Sequence, residues 1–218
     1  MTIEILLEDA FLIACLKPAG VLSEQQMPAL LKEQTGYAGE YFVLHRLDRE
    51  VSGVMLFAKS KFAAAALSAQ IADRKLQKEY LAVVHGAPAQ NTGVLEDFLF
   101  KDSKRNKSFV VKRQRKGVKA AALSYVVLGQ KQDLSLVKIR LHTGRTHQIR
   151  VQFSARQMPL YGDKKYGGHD NAPIALFSHK IVCAHPKTGE MLSFHALPPA
   201  VFPWDLFDIK ESINNETC

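Results

Sequence analysis

Residues 42–59 read FVLHRLDREVSGVMLFAK, a polar cluster set between two apolar runs. Phe42, Val43 and Leu44 lead in. Val54, Met55, Leu56, Phe57 and Ala58 lead out as a strand apolar on both faces, the pattern of a strand inside a core. Between them stand His45, Arg46, Asp48, Arg49 and Glu50, then Ser52 and Gly53. Charges are costly to bury, so their concentration at the entrance to a core means either a solvated turn or a site. Ser52 lacks the flanking glycines of a nucleophile elbow, and its expected role is local hydrogen bonding in the turn.

Working outward, IEILLED and FLIACLKP read as a strand pair meeting near Glu8 to Ala10, with a Pro-Ala-Gly turn after it. MPALLKEQTG spaces Met27, Leu30 and Leu31 as a short amphipathic helix closed by Gly36. An Ala-rich stretch, 61–74, follows a Ser60 cap as a second helix. KEYLAVVHG, GVLEDFLF, SFVV, AALSYVVLGQ and LSLVKIRLH are short, β-rich and joined by brief polar turns, which favours antiparallel pairing. THQIRVQFSARQ returns to helical period, with Thr146 as its cap and Ile149 and Phe153 on one face. ALFSHKIVCA and MLSFHAL flank the HPKTGE turn as a hairpin. The expectation is an α+β fold, a single domain over 1–218 built on a large, mainly antiparallel sheet.

The composition, 47% hydrophobic and 23% charged over 218 residues, is that of a globular protein. No apolar stretch approaches the ~20 residues of a membrane span. Glu4, Glu8 and Asp9 around the short run FLIACL do not make a signal peptide. Cys15, Cys183 and Cys218 are an odd set without metal-type spacing. Cys15 and Cys183 read as small buried hydrophobes, and a cytoplasmic protein is expected. The net charge of +8 resides in one window, KDSKRNKSFVVKRQRKGVK at 101–119, since basic and acidic residues balance elsewhere. Such a concentrated excess favours a polyanion, with Lys104, Arg105, Lys107, Arg113, Arg115 and Lys116 as candidate contacts and Phe109 able to stack on a base.

His142 and His147 lie five apart across a turn, and His185 and His195 flank another. No H-E-x-x-H, Cys-pair, P-loop or G-x-G-x-x-G pattern occurs, so neither a metal nor a nucleotide cofactor has support. Two clusters remain, HRLDREVSG at 45–53 and RLHTGRTHQIR at 140–150. Pattern alone leaves Asp48 and Arg145 open as surface ion-pair members or as catalytic groups.

HRLD followed by SG, then KEY, then GRTHQIR resemble, in that order, the signature motifs of the RluA family of RNA pseudouridine synthases. KPAGVLS at 17–23, LYGDKKYGG at 160–168 and HPKTGE at 185–190 are also similar to that family. The resemblance implies the pseudouridine synthase fold, a mixed sheet with flanking helices and loops around an RNA-binding cleft. It also implies isomerisation of specific uridines in ribosomal or transfer RNA, without a cofactor. A monomer is expected, and compactness suits a stem-loop target. Asp48 would be the catalytic carboxylate, Arg145 its partner, and Tyr80 the ring against the target base. Arg46, with His45 beside it, would help displace the base from its helix, and Ile149 would wall the pocket.

These residue types suit that chemistry. Desolvation pushes a carboxylate towards its neutral form, and an adjacent Arg keeps it ionised. A base inside a stem must be flipped out, and an Arg plane can fill the vacated stack. Tyr80 offers a ring for stacking and a hydroxyl that could accept the departing proton. Whether Asp48 attacks the ribose, attacks the base or removes a ribose proton stays open. Family members commonly carry Thr where Val51 stands, which questions a turn hydrogen bond. Many also carry an N-terminal RNA-binding domain for which residues 1–44 leave no room, which adds weight to 101–119. The competing readings are a non-catalytic RNA-binding protein that keeps the fold, and an RNA hydrolase using His45 or His147 as general base.

Overall fold

A computed structural model describes residues 1–215; Cys218 lies outside them. In chain order its first half contains β1 (Ile5–Glu8), β2 (Leu12–Lys17), α1 (Gln26–Thr35), β3 (Phe42–Val43), β4 (Ser52–Ala58), α2 (Lys61–Ala72) and β5 (Gln77–His85). There follow β6 (Thr92–Asp102), β7 (Lys107–Val111), β8 (Val118–Lys131), β9 (Leu134–Leu141), α3 (Gln148–Ser154), β10 (Leu176–Ala184), β11 (Met191–His195) and α4 (Ile209–Asn215). These elements form two compact units, one of residues Met1–Glu79 with Phe177–Leu197, the other of Tyr80–Leu176 with the segment from Pro198.

In the first unit β2 pairs antiparallel with both β1 and β4, and β11 pairs antiparallel with β10. The β4–β10 pair is parallel, with Gly53 opposite Ser178, so the sheet is mixed. At Gly53, φ is +120°, and a Cβ would collide with the backbone of Ser178, so only glycine fits where the chain leaves the HRLD loop. Leu12, Ala14, Val54, Leu56 and Ala58 pack with Ala63 and Leu67 of α2 and with Ile181, Cys183 and Phe194. Each large apolar side chain buried there contributes roughly 1.5–3 kcal/mol. Ser60 caps α2 by accepting the Ala63 N–H at 3.1 Å, and Gly36 ends α1 in the left-handed region, both as the sequence suggests. Cys15 and Cys183 are fully buried, and burial pushes their thiol pKa values up to about 12 and about 11.

The second unit runs antiparallel from β7 through β6 and β8 to β9, with β5 beyond. One face of β6 and β8 turns Leu99 and Ala121 towards Val151 of α3 and Tyr166. The helix starts differently from expectation. Its N-cap is His147, in the left-handed region at φ 53° and with no side-chain cap bond, rather than Thr146. Gln148 explains the shift: its Oε1 accepts the Arg145 N–H at 3.0 Å and the Thr143 hydroxyl at 2.8 Å, folding the preceding turn onto the helix start. Six of the seven helix residues are buried, Gln148, Arg150 and Gln152 among them, so α3 has no solvent-exposed polar stripe and its polar side chains bond inside the protein.

Candidate active site

In the first unit, Asp48 sits in the loop between β3 and β4, and that loop is laced to the KPAGVLS segment. Ser23 Oγ donates to the Leu47 carbonyl at 2.9 Å and accepts the Leu47 N–H at 3.1 Å. The Gly20 N–H donates to the Arg49 carbonyl at 2.8 Å, and Arg49 Nε returns a bond to the Gly20 carbonyl at 3.0 Å. The Lys17 ammonium, only 1% exposed, donates to the carbonyls of Pro18, Val21 and Arg49 at 2.8, 2.8 and 3.1 Å. Burial lowers its pKa to about 8, against the opposing pull of the Glu50 and Asp48 carboxylates. The Val51 N–H closes the turn on the Asp48 carbonyl at 3.0 Å, so the backbone supplies a turn bond where a Thr is common, and the Val51 side chain is buried.

The neighbours of Asp48 divide sharply. Arg46 is half exposed and pairs with the equally exposed Glu24 at 3.0 Å. His45 is buried, and its Nε2 accepts the Leu56 N–H at 3.1 Å, tying the loop to β4. Burial, reinforced by the positive charge of Lys78, lowers its pKa to about 3, so the ring is neutral. Its Nδ1 has no hydrogen-bond partner among the described residues.

In the second unit the TGR turn docks on a stretch of β8 that β9 does not reach. The β8–β9 pairing begins at Leu123 and Leu141. Beyond it, the Ala122 carbonyl accepts from the His142 and Thr143 N–H groups and the Gln148 side chain, and the Ala122 N–H donates to Thr143 Oγ1 at 2.9 Å. Arg145 Nε completes the edge by donating to the Ala120 carbonyl at 2.9 Å. Behind the turn, the Thr146 carbonyl accepts from Ser108 Oγ at 2.7 Å, and Tyr166 Oη accepts the Ser108 N–H at 2.7 Å and lies 2.9 Å from His147 Nδ1. Tyr166 is thereby the pin between β7 and the TGRTH turn.

Tyr80, on β5, and Ile149, on α3, are 5% and 4% exposed. Lys104, Arg105, Arg113, Arg115 and Lys116 are exposed in the turns that flank β7, and Lys107 opens that strand with its ammonium 5.0 Å from the Tyr166 ring centroid. Sequence reasoning noted KPAGVLS and LYGDKKYGG without assigning work to Lys17, Ser23 or Tyr166. A lysine immediately before Pro-Ala-Gly is the only local signal for the first, and none marks the others. Among the described residues, no three His, Cys, Asp or Glu side chains are grouped as metal ligands, and no helix is long and apolar enough to cross a membrane.

Both turns belong to an α+β fold with a mixed sheet, the fold class that the RluA-type motifs anticipate. A family model for RNA pseudouridylate synthase matches residues 12–155, which contain both turns and the KEY strand. The chain belongs to that family. It is 34% identical over 174 residues to the uncharacterized RNA pseudouridine synthase YlyB of Bacillus subtilis, covering 78% of this chain and 55% of that one. It is 31% identical to ribosomal large subunit pseudouridine synthase D of Zymomonas mobilis, over 90% of this chain and 69% of the relative. Against tRNA pseudouridine synthase C of Pasteurella multocida the identity is 30%, over 96% of this chain and all of the relative. The chain thus spans little more than half the length of YlyB. The fold is similar to that of human RNA pseudouridylate synthase domain containing 1, with a TM-score of 0.81 at 20% identity, over the whole of this chain and 95% of that one.

Proposed function

We propose that this chain is an RNA pseudouridine synthase, converting specific uridines of transfer or ribosomal RNA to pseudouridine. The bond between uracil N1 and ribose breaks, the base turns, and a bond from its C5 to ribose forms. The C5 proton leaves and N1 gains one, so no oxidant or reductant is needed. Asp48 is the catalytic carboxylate, acting on the ribose or on the base, and Arg145 of the TGR turn is the second charged group of the reaction. Tyr80 contributes a ring and a hydroxyl at the base, and Arg46 serves in displacing it. The carrying observation is the lacing of the Asp48 loop by Lys17, Gly20 and Ser23. A loop whose backbone is fixed at Leu47 and Arg49 holds the residue between them in one geometry, which catalysis demands and a solvated turn does not.

Asp48→Asn tests the charge while conserving shape. Tritium release from RNA labelled at uridine C5 should fall to background, while RNA binding largely survives, because phosphate contacts supply most affinity. Near-normal release by the folded variant would overturn the assignment. Assaying transfer RNA and ribosomal RNA transcripts in parallel decides the substrate class. The match along the full length of a transfer RNA enzyme makes transfer RNA the first arm.

A further inference from the structure

Over β7, β6 and the first part of β8, the antiparallel sheet of the second unit has one covered face and one partly exposed face, and the exposed one carries aromatic side chains among its charged ones. Side chains alternate along a strand, so Leu95 and Leu99 of β6 turn inward, and Val94, Glu96, Phe98, Phe100 and Asp102 turn outward. Directly opposite partners share a face. Phe100 therefore lies beside Phe109 of β7 on one side and Val118 of β8 on the other, and Phe98 lies between Val111 and Ala120. Phe98, Phe100 and Phe109 are all partly exposed. An open antiparallel face ordinarily carries polar residues. Here three phenylalanines form a row on it instead.

Cations accompany this row. The Arg115 guanidinium stands 5.8 Å from the Phe100 ring centroid and the Lys107 ammonium 5.8 Å from that of Phe109. Arg140, opposite Ser124, adds an exposed guanidinium farther along the face, which also carries the acids Glu96 and Asp102. The row also leads to the site. The Ala120 carbonyl that holds Arg145 belongs to the residue paired with Phe98, one strand spacing of about 4.8 Å away. Aromatic faces interleaved with cations match a strand of unpaired nucleotides, whose bases stack on rings while its phosphates meet Lys and Arg.

We propose that the outward face of β8, β6 and β7 is a stacking platform for single-stranded RNA, with Phe98, Phe100 and Phe109 receiving bases that flank the target uridine. The proposal rests on the pseudouridine synthase reading and adds to the charge of 101–119 a base-contacting surface selective for unpaired segments.

The test uses full-length protein with Phe98→Leu, Phe100→Leu and Phe109→Leu, and two fluorescent probes: a twelve-residue oligouridine, and an RNA duplex of the same length. Each substitution keeps an apolar strand residue and removes the ring. The dissociation constant for oligouridine should rise about fivefold or more per ring, near the lower end of what one stacked base contributes. The slope of affinity against salt should stay unchanged, because no phosphate contact is lost, and duplex binding should change little. Phe109→Tyr, which keeps a stacking ring, should bind as wild type does and guards against a folding defect in Phe109→Leu. Unchanged oligouridine affinity in all three Leu variants would overturn the proposal. So would equal losses on both probes, since the rings would then only brace the hairpin. Wild-type protein assayed alongside for pseudouridine formation separates the two readings, because its inactivity would strike the function and leave the platform to be judged by binding.

Discussion

The Lys17 ammonium donates to the Arg49 carbonyl oxygen at 3.1 Å, so a buried cation on β2 holds the residue that follows Asp48. Lys17→Met keeps the stem and removes the donors, leaving the Pro18 and Val21 carbonyls without this partner. Each buried group left unsatisfied costs about 1–3 kcal/mol. We expect a fall in unfolding free energy within that range or somewhat above it, read from urea titrations. Turnover at saturating RNA should fall more than RNA affinity, because the loop that loosens carries Asp48. A variant with unaltered kcat would mean that the loop holds its geometry without the lysine.

Arg46 and Glu24 meet at 3.0 Å with both side chains about half exposed. Exposed pairs contribute only about 0–1 kcal/mol. Glu24→Gln should therefore leave the melting temperature nearly unchanged while freeing a guanidinium from its carboxylate. RNA should bind more tightly at low salt, with the gain fading as salt rises. Weaker binding would show that Glu24 positions Arg46 rather than competing for it.

Tyr166→Phe removes one oxygen and retains the ring beside Lys107 and Arg150. The Ser108 N–H, buried and donating to that oxygen at 2.7 Å, loses its acceptor. The expected destabilisation is about 1–3 kcal/mol. Faster amide exchange at Ser108 than at the rest of β7 would locate it; uniform acceleration across the strand would contradict a local pin.

His45 makes stability depend on acid. Its folded pKa is lowered to about 3 from an ordinary value of 6.5, so between those values the unfolded chain binds a proton that the folded chain refuses. The contribution of the neutral ring is complete above pH 6.5 and is lost progressively as pH falls through this window. His45→Gln keeps an acceptor for the Leu56 N–H and does not titrate. Urea unfolding of that variant should show a shallower decline below pH 6.5. An identical decline would assign the acid sensitivity to other groups.

Much of this was legible in the chain because local rules agree with tertiary outcome. The Ser60 cap, the Gly36 stop, the alternation of β6 and the apolar run of β4 are decided within a few residues. Thr146 misleads because the start of α3 is set by Gln148 reaching back over the turn, an arrangement with no signature of its own. The bonds that hold the HRLD loop escape pattern reading for another reason. Lys17 and Arg49 are 32 positions apart, and a carbonyl acceptor has no sequence identity to detect. Tyr166 and Ser108, 58 apart, meet through a backbone N–H and are equally silent.

The TGR turn has a second consequence, concerning other molecules of the same chain. Where β9 stops short, residues 118–122 of β8 would present unpaired backbone groups, and an exposed strand edge is a template for pairing with a neighbouring chain. Thr143, Arg145 and Gln148 occupy that edge with side chains and turn backbone, which cannot be extended by a further strand. The segment that presents the arginine thus also acts as a guard against aggregation. Damage to it would surface as loss of soluble protein as well as loss of activity.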